Sequence, residues 1–197
     1  PGMAAGEIHF AIGYTEANAG TDLATLKTTA VLEGDHFVVN GSKLFTTDAE
    51  SADYIWLACR TNPEEKRHKG ISIIIVDTKL PGYSLTPIHT VGHRTNTTYF
   101  DNIKVPANML VGQLNGGWKL ITGQLNRERL SLVNHGPCEL LYERVATWAA
   151  LTDAGGADGK VIDLPWVRNN LARVKAGLEI LRLVCFKQAW SMSHASL

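Results

Sequence analysis

The sequence predicts an α+β protein, in which an antiparallel β-barrel or sandwich domain is followed by a segment of antiparallel helical bundle. Short runs rich in β-branched and aromatic residues, evenly spaced and separated by turn residues, fill residues 6–112. From Trp118 onward, apolar residues instead recur at steps of three and four, which is the helical period. The character changes near Asn115-Gly-Gly117, so we expect the β domain to end close to this stretch.

The β domain is predicted from strand-like runs bounded by turn dipeptides. Glu33-Gly34-Asp35, between two apolar runs, predicts a tight hairpin. Asn40-Gly41, Pro81-Gly82 and Asp101-Asn102 are interpreted as breaks between strands. The predicted strands include residues 31–32, 37–39, 54–59, 71–76, 83–85, 99–100 and 103–105.

The remainder is predicted to be helical. Pro137 is expected to kink or restart the first helix because it lacks a backbone donor, and residues 139–151 continue the pattern. Asp163 is predicted as the N-cap of a last helix that has Pro165 in its first turn and runs to about His194. A wide apolar stripe predicts that this helix is buried; its members are Trp166, Leu171, Val174, Leu178, Leu181, Val184 and Ala189.

Composition narrows the classes of function. Lys+Arg and Asp+Glu are equal at 19 each, which argues against a nucleic-acid-binding surface. No run approaches 18 apolar residues, so no membrane span is predicted. Cys59, Cys138 and Cys185 are odd in number and widely spaced, and we interpret them as reduced, buried thiols of a cytoplasmic protein. The seven histidines show no ligand spacing, and His89 and His93 are not on a predicted helix, so no metal site is expected.

Three segments carry candidate chemistry. The first is Ile12-Gly-Tyr-Thr-Glu-Ala-Asn-Ala-Gly-Thr-Asp22, the second is Asn40-Gly-Ser-Lys-Leu-Phe-Thr-Thr47, and the third is Gln124-Leu-Asn-Arg-Glu-Arg-Leu130. Taken singly, they could be a surface turn, the end of a strand and a solvated helix face with local ion pairs. The first is also rich in small residues, which let backbone groups approach a flat ligand closely.

In this order and spacing, the three segments resemble those of the acyl-CoA dehydrogenase family. There the first usually reads Thr-Glu-Pro-x-Ala-Gly-Ser-Asp and the second Asn-Gly-x-Lys-x-Trp-Ile-Thr. The resemblance implies a truncated acyl-CoA dehydrogenase fold, with residues 1–113 as the middle β domain and residues 114–197 as the start of the C-terminal helical domain. Because the sequence begins at Pro1 and ends at Leu197, next to a predicted helix, we expect it to be part of a longer protein.

The resemblance also implies that FAD is the cofactor. Two positions depart from the family pattern: Phe45 stands where Trp is usual, and Thr46 stands where Ile is usual. Phenylalanine keeps the apolar ring face but loses the indole donor. The residues whose family counterparts contact the flavin are Ile12, Tyr14, Thr15, Thr21, Phe45, Thr46 and Thr47.

The implied reaction is the FAD-dependent α,β-dehydrogenation of an acyl-CoA thioester to the 2-enoyl-CoA. Glu128 matches the catalytic base of isovaleryl- and long-chain-type members, which carry it in the pattern Leu-x-x-Glu-Arg; most of the family carries the base on a later segment that this sequence lacks. A desolvated carboxylate suits removal of the α-proton. Substrate contacts are implied for Thr21, Asn126 and Arg129.

One departure bears on assembly. Homotetrameric members carry an Arg-x-x-Phe-Gly motif that reaches the FAD pyrophosphate of a neighbouring subunit, whereas residues 152–160 here contain neither Arg nor Phe. In this respect the chain is similar to actinobacterial acyl-CoA dehydrogenases of steroid side-chain degradation, which pair two different subunits. The resemblance therefore implies a tetramer, for which α2β2 with a second dehydrogenase-like subunit is one arrangement, and an electron-transfer flavoprotein as acceptor.

Two alternatives remain open at the level of sequence. One is an acyl-CoA oxidase of the same fold, in which oxygen reoxidises the flavin. The other is a non-catalytic partner subunit that keeps the fold without the chemistry.

Overall fold

The computed structural model describes residues 2–65, 67–92, 94–132, 135–155 and 159–194, and of residues 129–132 it describes the helical backbone alone. The chain divides into two compact units, Pro1–Gly123 and Gln124–Leu197. The first contains a mixed sheet of eight strands and the second is helical, so the predicted α+β class is confirmed.

The first unit is built on one sheet, preceded by a short helix, α1 (Gly2–Ala5). The strands pair in the order β6-β7-β3-β2-β4-β5-β8, and β1 lies alongside β4 in parallel. The long pairings of β3 with β7, β4 with β5 and β6 with β7 are antiparallel. The strands are β1 (Phe10–Gly13), β2 (Thr29–Glu33), β3 (His36–Thr47), β4 (Tyr54–Arg60), β5 (Ile71–Asp77), β6 (Tyr83–Ile88), β7 (Thr95–Pro106) and β8 (Leu110–Val111).

The inward side chains of these strands form the core. Burial alternates along β3 and β7, as period-two strands with one solvated face require. β4 and β5 are buried almost throughout. The core contains Ala11, Ala30, Phe37, Val39, Ala49, Ala52, Ile55, Leu57, Cys59, Ile74, Val76, Phe100, Ile103 and Val105.

The predicted hairpin is confirmed between β2 and β3. Glu33 pairs with His36, which leaves Gly34 and Asp35 as a two-residue loop. A loop of this length fixes the register of the two strands.

The interpretation of Asn40-Gly41 and Asp101-Asn102 as strand breaks was wrong. Both dipeptides lie inside long strands, opposite one another, where the β3–β7 register shifts. The Asn102 N–H donates to the Asn40 side-chain oxygen at 2.9 Å, and Asn40 Nδ2 donates to Asn102 Oδ1 at 3.2 Å. Gly41 has φ +146°, and a Cβ there would lie 2.5 Å from Thr28 Oγ1. Turn-forming residues therefore make a bulge here, because their side chains bond across the strands.

The predicted helices are present as α2 (Gly117–Leu132), α3 (His135–Leu151) and α4 (Pro165–His194). A Cβ at Gly117 would lie 2.7 Å from the carbonyl carbon of Ser72, so the start of α2 approaches β5 more closely than a side chain would allow. Pro137 lies in the first turn of α3. The backbone N–H that proline lacks would have no partner within the helix at this position, so a proline is tolerated there.

Helices α3 and α4 pack as an antiparallel pair within the second unit. The rings of His135 and Phe186 meet edge to face at 6.0 Å, and Lys175 Nζ lies 5.8 Å from the Tyr142 ring centroid. The beginning of α3 therefore meets the end of α4. Ala149 of α3 and Leu178 of α4 are buried.

Asp163 is not the N-cap of α4, contrary to the prediction. Helix α4 begins at Pro165, and Asp163 instead ends a 3-10 turn over Val161–Asp163. Its carboxylate accepts the Lys160 N–H at 3.0 Å and a bond from Arg168 at 3.3 Å. The carboxylate therefore caps the short turn and reaches the first turn of α4 through Arg168.

Two predictions of burial were also wrong. Trp166, Val174 and Val184 of the α4 stripe are exposed, because within this chain α4 is covered on one side only. Of the three free cysteines, Cys59 is buried whereas Cys138 is exposed.

His93, one of the two closely spaced histidines considered as metal ligands, lies outside the described residues. In the described part of the chain, no helix has the length and apolarity to cross a membrane.

Candidate functional site

The first two candidate segments, distant in sequence, are joined directly in the structure. Residues 12–22 continue from β1, whereas residues 40–47 form the second half of β3. The Leu44 N–H donates to the Thr15 carbonyl oxygen at 2.8 Å, and Lys43 Nζ donates to the Tyr14 carbonyl oxygen at 3.0 Å. The end of β3 therefore bonds to the first segment as well as to its neighbouring strand.

An ion pair lies at this junction. Lys43 Nζ is 2.8 Å from Glu16 Oε1, and the two side chains are 0% and 11% exposed. Glu16 also accepts the backbone N–H groups of Lys27, at 2.7 Å, and Thr28, at 2.9 Å. A buried charge is tolerated when it is paired and hydrogen-bonded, and both conditions hold here.

Burial and charge act in opposite directions on the pKa values of the pair. For Glu16, burial raises the pKa, but the Lys43 ammonium and the hydrogen bonds from Lys43 and Thr28 outweigh burial and hold the pKa below its ordinary value. For Lys43, complete burial lowers the pKa more than the Glu16 carboxylate raises it. The surroundings therefore favour the charged form of Glu16, whereas burial works against the charged form of Lys43.

The residues after Glu16 form a compact turn. Glu16 N–H donates to the Ala19 carbonyl at 3.0 Å, and Ala19 N–H donates back to Glu16 at 3.1 Å. Ala19 is buried beneath the turn, whereas Thr21 is exposed. The small residues of this segment thus allow a tight bend that leaves Thr21 exposed.

The three candidate residues at the end of β1 differ in exposure. Tyr14 is buried, and its hydroxyl accepts a hydrogen bond from Trp56 Nε1 at 3.0 Å. Thr15 is half-buried, and Ile12 is 37% exposed. Ile12 and the hydroxyl-bearing Thr15 thus keep surface available for a ligand.

Phe45 has an unusual backbone and an unusual exposure for an aromatic residue. It lies in the left-handed region at φ +57°, and 59% of its surface is exposed. The β3–β7 register shifts between Lys43 and Thr46, so β3 contains one extra residue at this point. Bulky residues rarely adopt positive φ, and such outliers concentrate at ligand sites.

Thr46 and Thr47 point in different directions. Thr46 is buried, and its hydroxyl lies 3.2 Å from that of Thr98. Its carbonyl accepts a bond from Asn96 Nδ2, which also donates to Glu50 Oε2 at 2.6 Å. Thr47 is exposed. The inward Thr46 thus anchors the strand between two outward residues, Phe45 and Thr47.

The helical candidates lie on α2, in the second unit. Asn126 is exposed and Glu128 is half-buried. Arg129 is part of the helix, but its side chain lies outside the described part of the chain. These three residues share one helix and one unit.

Several groups that shape the site were not identified from the sequence: Lys43, Glu16, Trp56, Asn96 and Glu50. One signal was available for Lys43. It continues the inward alternation of Phe37 and Val39, and a lysine at an inward strand position requires a buried partner. The identity of that partner depends on a contact across 27 residues, which the spacing does not reveal.

Comparison with known proteins agrees with this architecture. Family models described as "Acyl-CoA dehydrogenase, middle domain" and "Acyl-CoA dehydrogenase, C-terminal domain" match residues 11–103 and 115–197. The acyl-CoA dehydrogenase FadE29 of Mycobacterium tuberculosis is 53% identical over 191 residues, which are 96% of this chain and 49% of that protein. The chain thus spans about half the length of such curated relatives.

Solved structures give the same assignment. A structure described as "Tcur3481-Tcur3483 steroid ACAD G363A variant" is 52% identical, with a TM-score of 0.92 over 99% of this chain and 50% of that one. The ChsE4-ChsE5 complex from Mycobacterium tuberculosis is 50% identical, with a TM-score of 0.89 over 98% of this chain and 50% of that one. The chain belongs to the acyl-CoA dehydrogenase family.

Proposed function

We propose that the protein to which this chain belongs catalyses the FAD-dependent α,β-dehydrogenation of an acyl-CoA thioester to the 2-enoyl-CoA. The observation that carries the proposal is the joining of the first two segments at Lys43 and Leu44, beside an exposed Phe45 held at positive φ. Family membership supports the class of reaction. The domain boundaries at residues 1–113 and 114–197 remain part of the proposal.

The residues at the junction fit a flavin. Phe45 and Ile12 offer apolar surface to a flat ring, and the hydroxyls of Thr15, Thr21 and Thr47 could serve the polar edge of such a ring. Thr46 would contribute through its backbone, because its hydroxyl is directed inward to Thr98. The buried Tyr14 would likewise contribute through its backbone.

In the proposed mechanism, the Glu128 carboxylate removes the proton from the α-carbon of the thioester. FAD, if held by the residues named above, would supply the hydride acceptor for the β-carbon. Contacts to the acyl-CoA are proposed for Asn126 and Arg129 of α2 and, in the first unit, for Thr21. A positioned general base contributes about 10²–10⁴-fold to such a step.

A second subunit is part of the proposal. The only basic residue among residues 152–160 is Lys160, whose ammonium is bound to Asp153 at 2.7 Å and to the Leu151 carbonyl at 3.2 Å. A cation for the FAD pyrophosphate would then come from a partner chain. The ChsE4-ChsE5 complex, a two-protein relative, supports this arrangement.

Three further predictions belong to the proposal: a cytoplasmic location, an electron-transfer flavoprotein as electron acceptor, and a steroid or fatty acyl group as the acyl part of the substrate.

Turnover tests the proposal. The full-length protein, co-expressed with a dehydrogenase-like partner, should contain FAD and convert an acyl-CoA to a product lighter by two hydrogens. Glu128→Gln should lower kcat by about 10²–10⁴-fold with the flavin content unchanged. Glu143→Gln, the same change on an exposed position of α3, should retain activity. No turnover in any combination, with FAD bound, would favour the non-catalytic partner subunit.

The electron acceptor distinguishes an oxidase from the dehydrogenase proposed here. An oxidase consumes oxygen when its reduced flavin is exposed to air, whereas the dehydrogenase proposed here should be reoxidised far faster by an electron-transfer flavoprotein.

A further inference from the structure

Lys43 lies where β3 departs from its regular pairing with β7. Its partner on β7 is Thr98, and the next regular pair is Thr46 with Asn96. Between these two pairs β3 has one more residue than β7. That extra length contains Leu44, which bonds to Thr15, and Phe45, which takes the left-handed conformation.

The Lys43 ammonium fastens this irregular stretch to the first segment. It is fully buried, donates to the Tyr14 carbonyl at 3.0 Å and pairs with Glu16 at 2.8 Å. Glu16 is in turn held by the backbone of Lys27 and Thr28. One side chain thus links β3, the end of β1 and the turn that precedes β2.

A hydrophobic residue of similar length could fill the same volume without the cost of burying a charge. Packing alone therefore does not account for a lysine at this position. The ammonium instead fixes the relative position of the two segments. It bonds to one carbonyl and one carboxylate of the first segment, at the point where the second segment turns outward.

We propose that Lys43 is a positioning residue for the cofactor: its buried ammonium, paired with Glu16, locks residues 14–16 against the bulge and so fixes the exposed Phe45 in the orientation that receives the flavin ring. The inference rests on the proposed function, since it concerns the same site. Lys43 does not itself touch the cofactor.

The test uses the full-length holoprotein with its partner subunit. Lys43→Met keeps the unbranched stem and removes the ammonium. FAD dissociation constants and the visible circular dichroism of the bound flavin are measured for wild type and variant. Loss of a hydrogen bond to a charged group corresponds to about a tenfold to hundredfold change in an equilibrium constant. We expect the FAD dissociation constant to rise by that factor and the flavin dichroism to change.

A matched control separates positioning from general stability. Val105→Ala removes apolar volume from the core of β7, at the Phe37 pair, away from the junction. It should lower the melting temperature while leaving the FAD dissociation constant and the flavin dichroism unchanged. A Lys43→Met protein that binds FAD within about twofold of wild type, with the same dichroism, overturns the inference.

Two other outcomes are also decisive. If Lys43→Met does not fold, Glu16→Gln takes its place: the amide oxygen can still accept from Thr28 and Lys43, but the negative charge opposite the ammonium and the acceptor for the Lys27 N–H are removed. Wild-type FAD binding in Glu16→Gln would then assign the pair to stability alone and reject the inference. If the wild-type complex itself binds no FAD, the proposed function fails together with the inference.

Discussion

At the scale of single residues, Phe45 combines two unfavourable properties. A left-handed backbone costs a bulky L-residue about 1–2 kcal/mol, and an exposed aromatic ring gains little from burial. Bonds on both sides maintain the conformation, from Leu44 to Thr15 and from Thr46 to Thr98. This combination is expected where a side chain is held ready for a ligand.

Phe45→Ala should weaken FAD binding by about tenfold, because an aromatic contact contributes about 0.5–1.5 kcal/mol beyond buried area. The melting temperature of the apoprotein should change little, since most of the ring is solvated. Isothermal titration with FAD measures the affinity. Val31→Ala, at a similarly exposed apolar position of β2, is the control and should bind FAD like wild type. Unchanged FAD affinity in Phe45→Ala would remove this residue from the site.

The lowered pKa of Glu16 predicts a specific acid sensitivity. Because the folded protein binds fewer protons at Glu16 than the unfolded chain does, the stability from this group is complete above the ordinary glutamate pKa. It is lost as the pH falls through the lower, folded-state pKa. Urea unfolding from about pH 7 to about pH 3 should therefore show a shallower decline for the double variant Glu16→Gln/Lys43→Met, which leaves no unpaired ammonium in the core, than for wild type.

Glu33→Gln, on the exposed part of the β2–β3 hairpin, serves as the control for that experiment. It should decline as steeply as wild type. Equal slopes for wild type and Glu16→Gln/Lys43→Met would show that the Glu16 carboxylate is not stabilised in the folded state.

At the scale of elements, the strands and helices could be predicted because each keeps its period. Residues 54–59 are a continuous apolar run and residues 71–76 are apolar except for Ser72, and the two runs form the buried β4 and β5. The bulges of β3 could not be predicted. Asn40-Gly41 is a turn signal in sequence, and only Asn102, across the sheet, converts it into a bulge. The partner of Lys43 could not be predicted for the same reason, because it depends on a contact between segments that are distant in sequence.

Gly41→Ala should destabilise the first unit by about 1–3 kcal/mol, because the new methyl group meets Thr28 and the φ angle disfavours a side chain. Chemical denaturation followed by fluorescence measures this. Gly177→Ala is the matched control: it lies on exposed α4 with no atom within 4 Å of the new Cβ, and it should stabilise that helix by about 0.5–1 kcal/mol. Equal effects of the two substitutions would contradict the bulge.

At the scale of the whole molecule, the apolar surface is concentrated in the second unit. Many large apolar side chains of α3 and α4 are exposed within this chain, among them Trp148, Trp166, Ile180, Leu183 and Trp190. Exposed apolar surface of this extent promotes association. The helical period identified the apolar stripe of α4 in the sequence. It did not predict that much of the stripe is exposed, because burial depends on which other elements pack against the helix.

The 197-residue chain, expressed alone, should self-associate through this surface. Ile180→Lys with Leu183→Lys should shift its sedimentation toward the monomer without lowering its stability, because both side chains are already 63% exposed. Val31→Lys, an exposed apolar position away from α3 and α4, should leave the sedimentation unchanged. Association that persists in the double variant would place the contact elsewhere.

The most direct test of the central claim is the flavin absorbance of the full-length complex during anaerobic titration with an acyl-CoA. The account predicts that the oxidised flavin band bleaches on addition of substrate in wild type and in Glu143→Gln, and that Glu128→Gln binds the same ligand without bleaching. Bleaching in Glu128→Gln at the wild-type rate would contradict the assignment of the base, and a wild-type complex without flavin would contradict the proposed function as a whole.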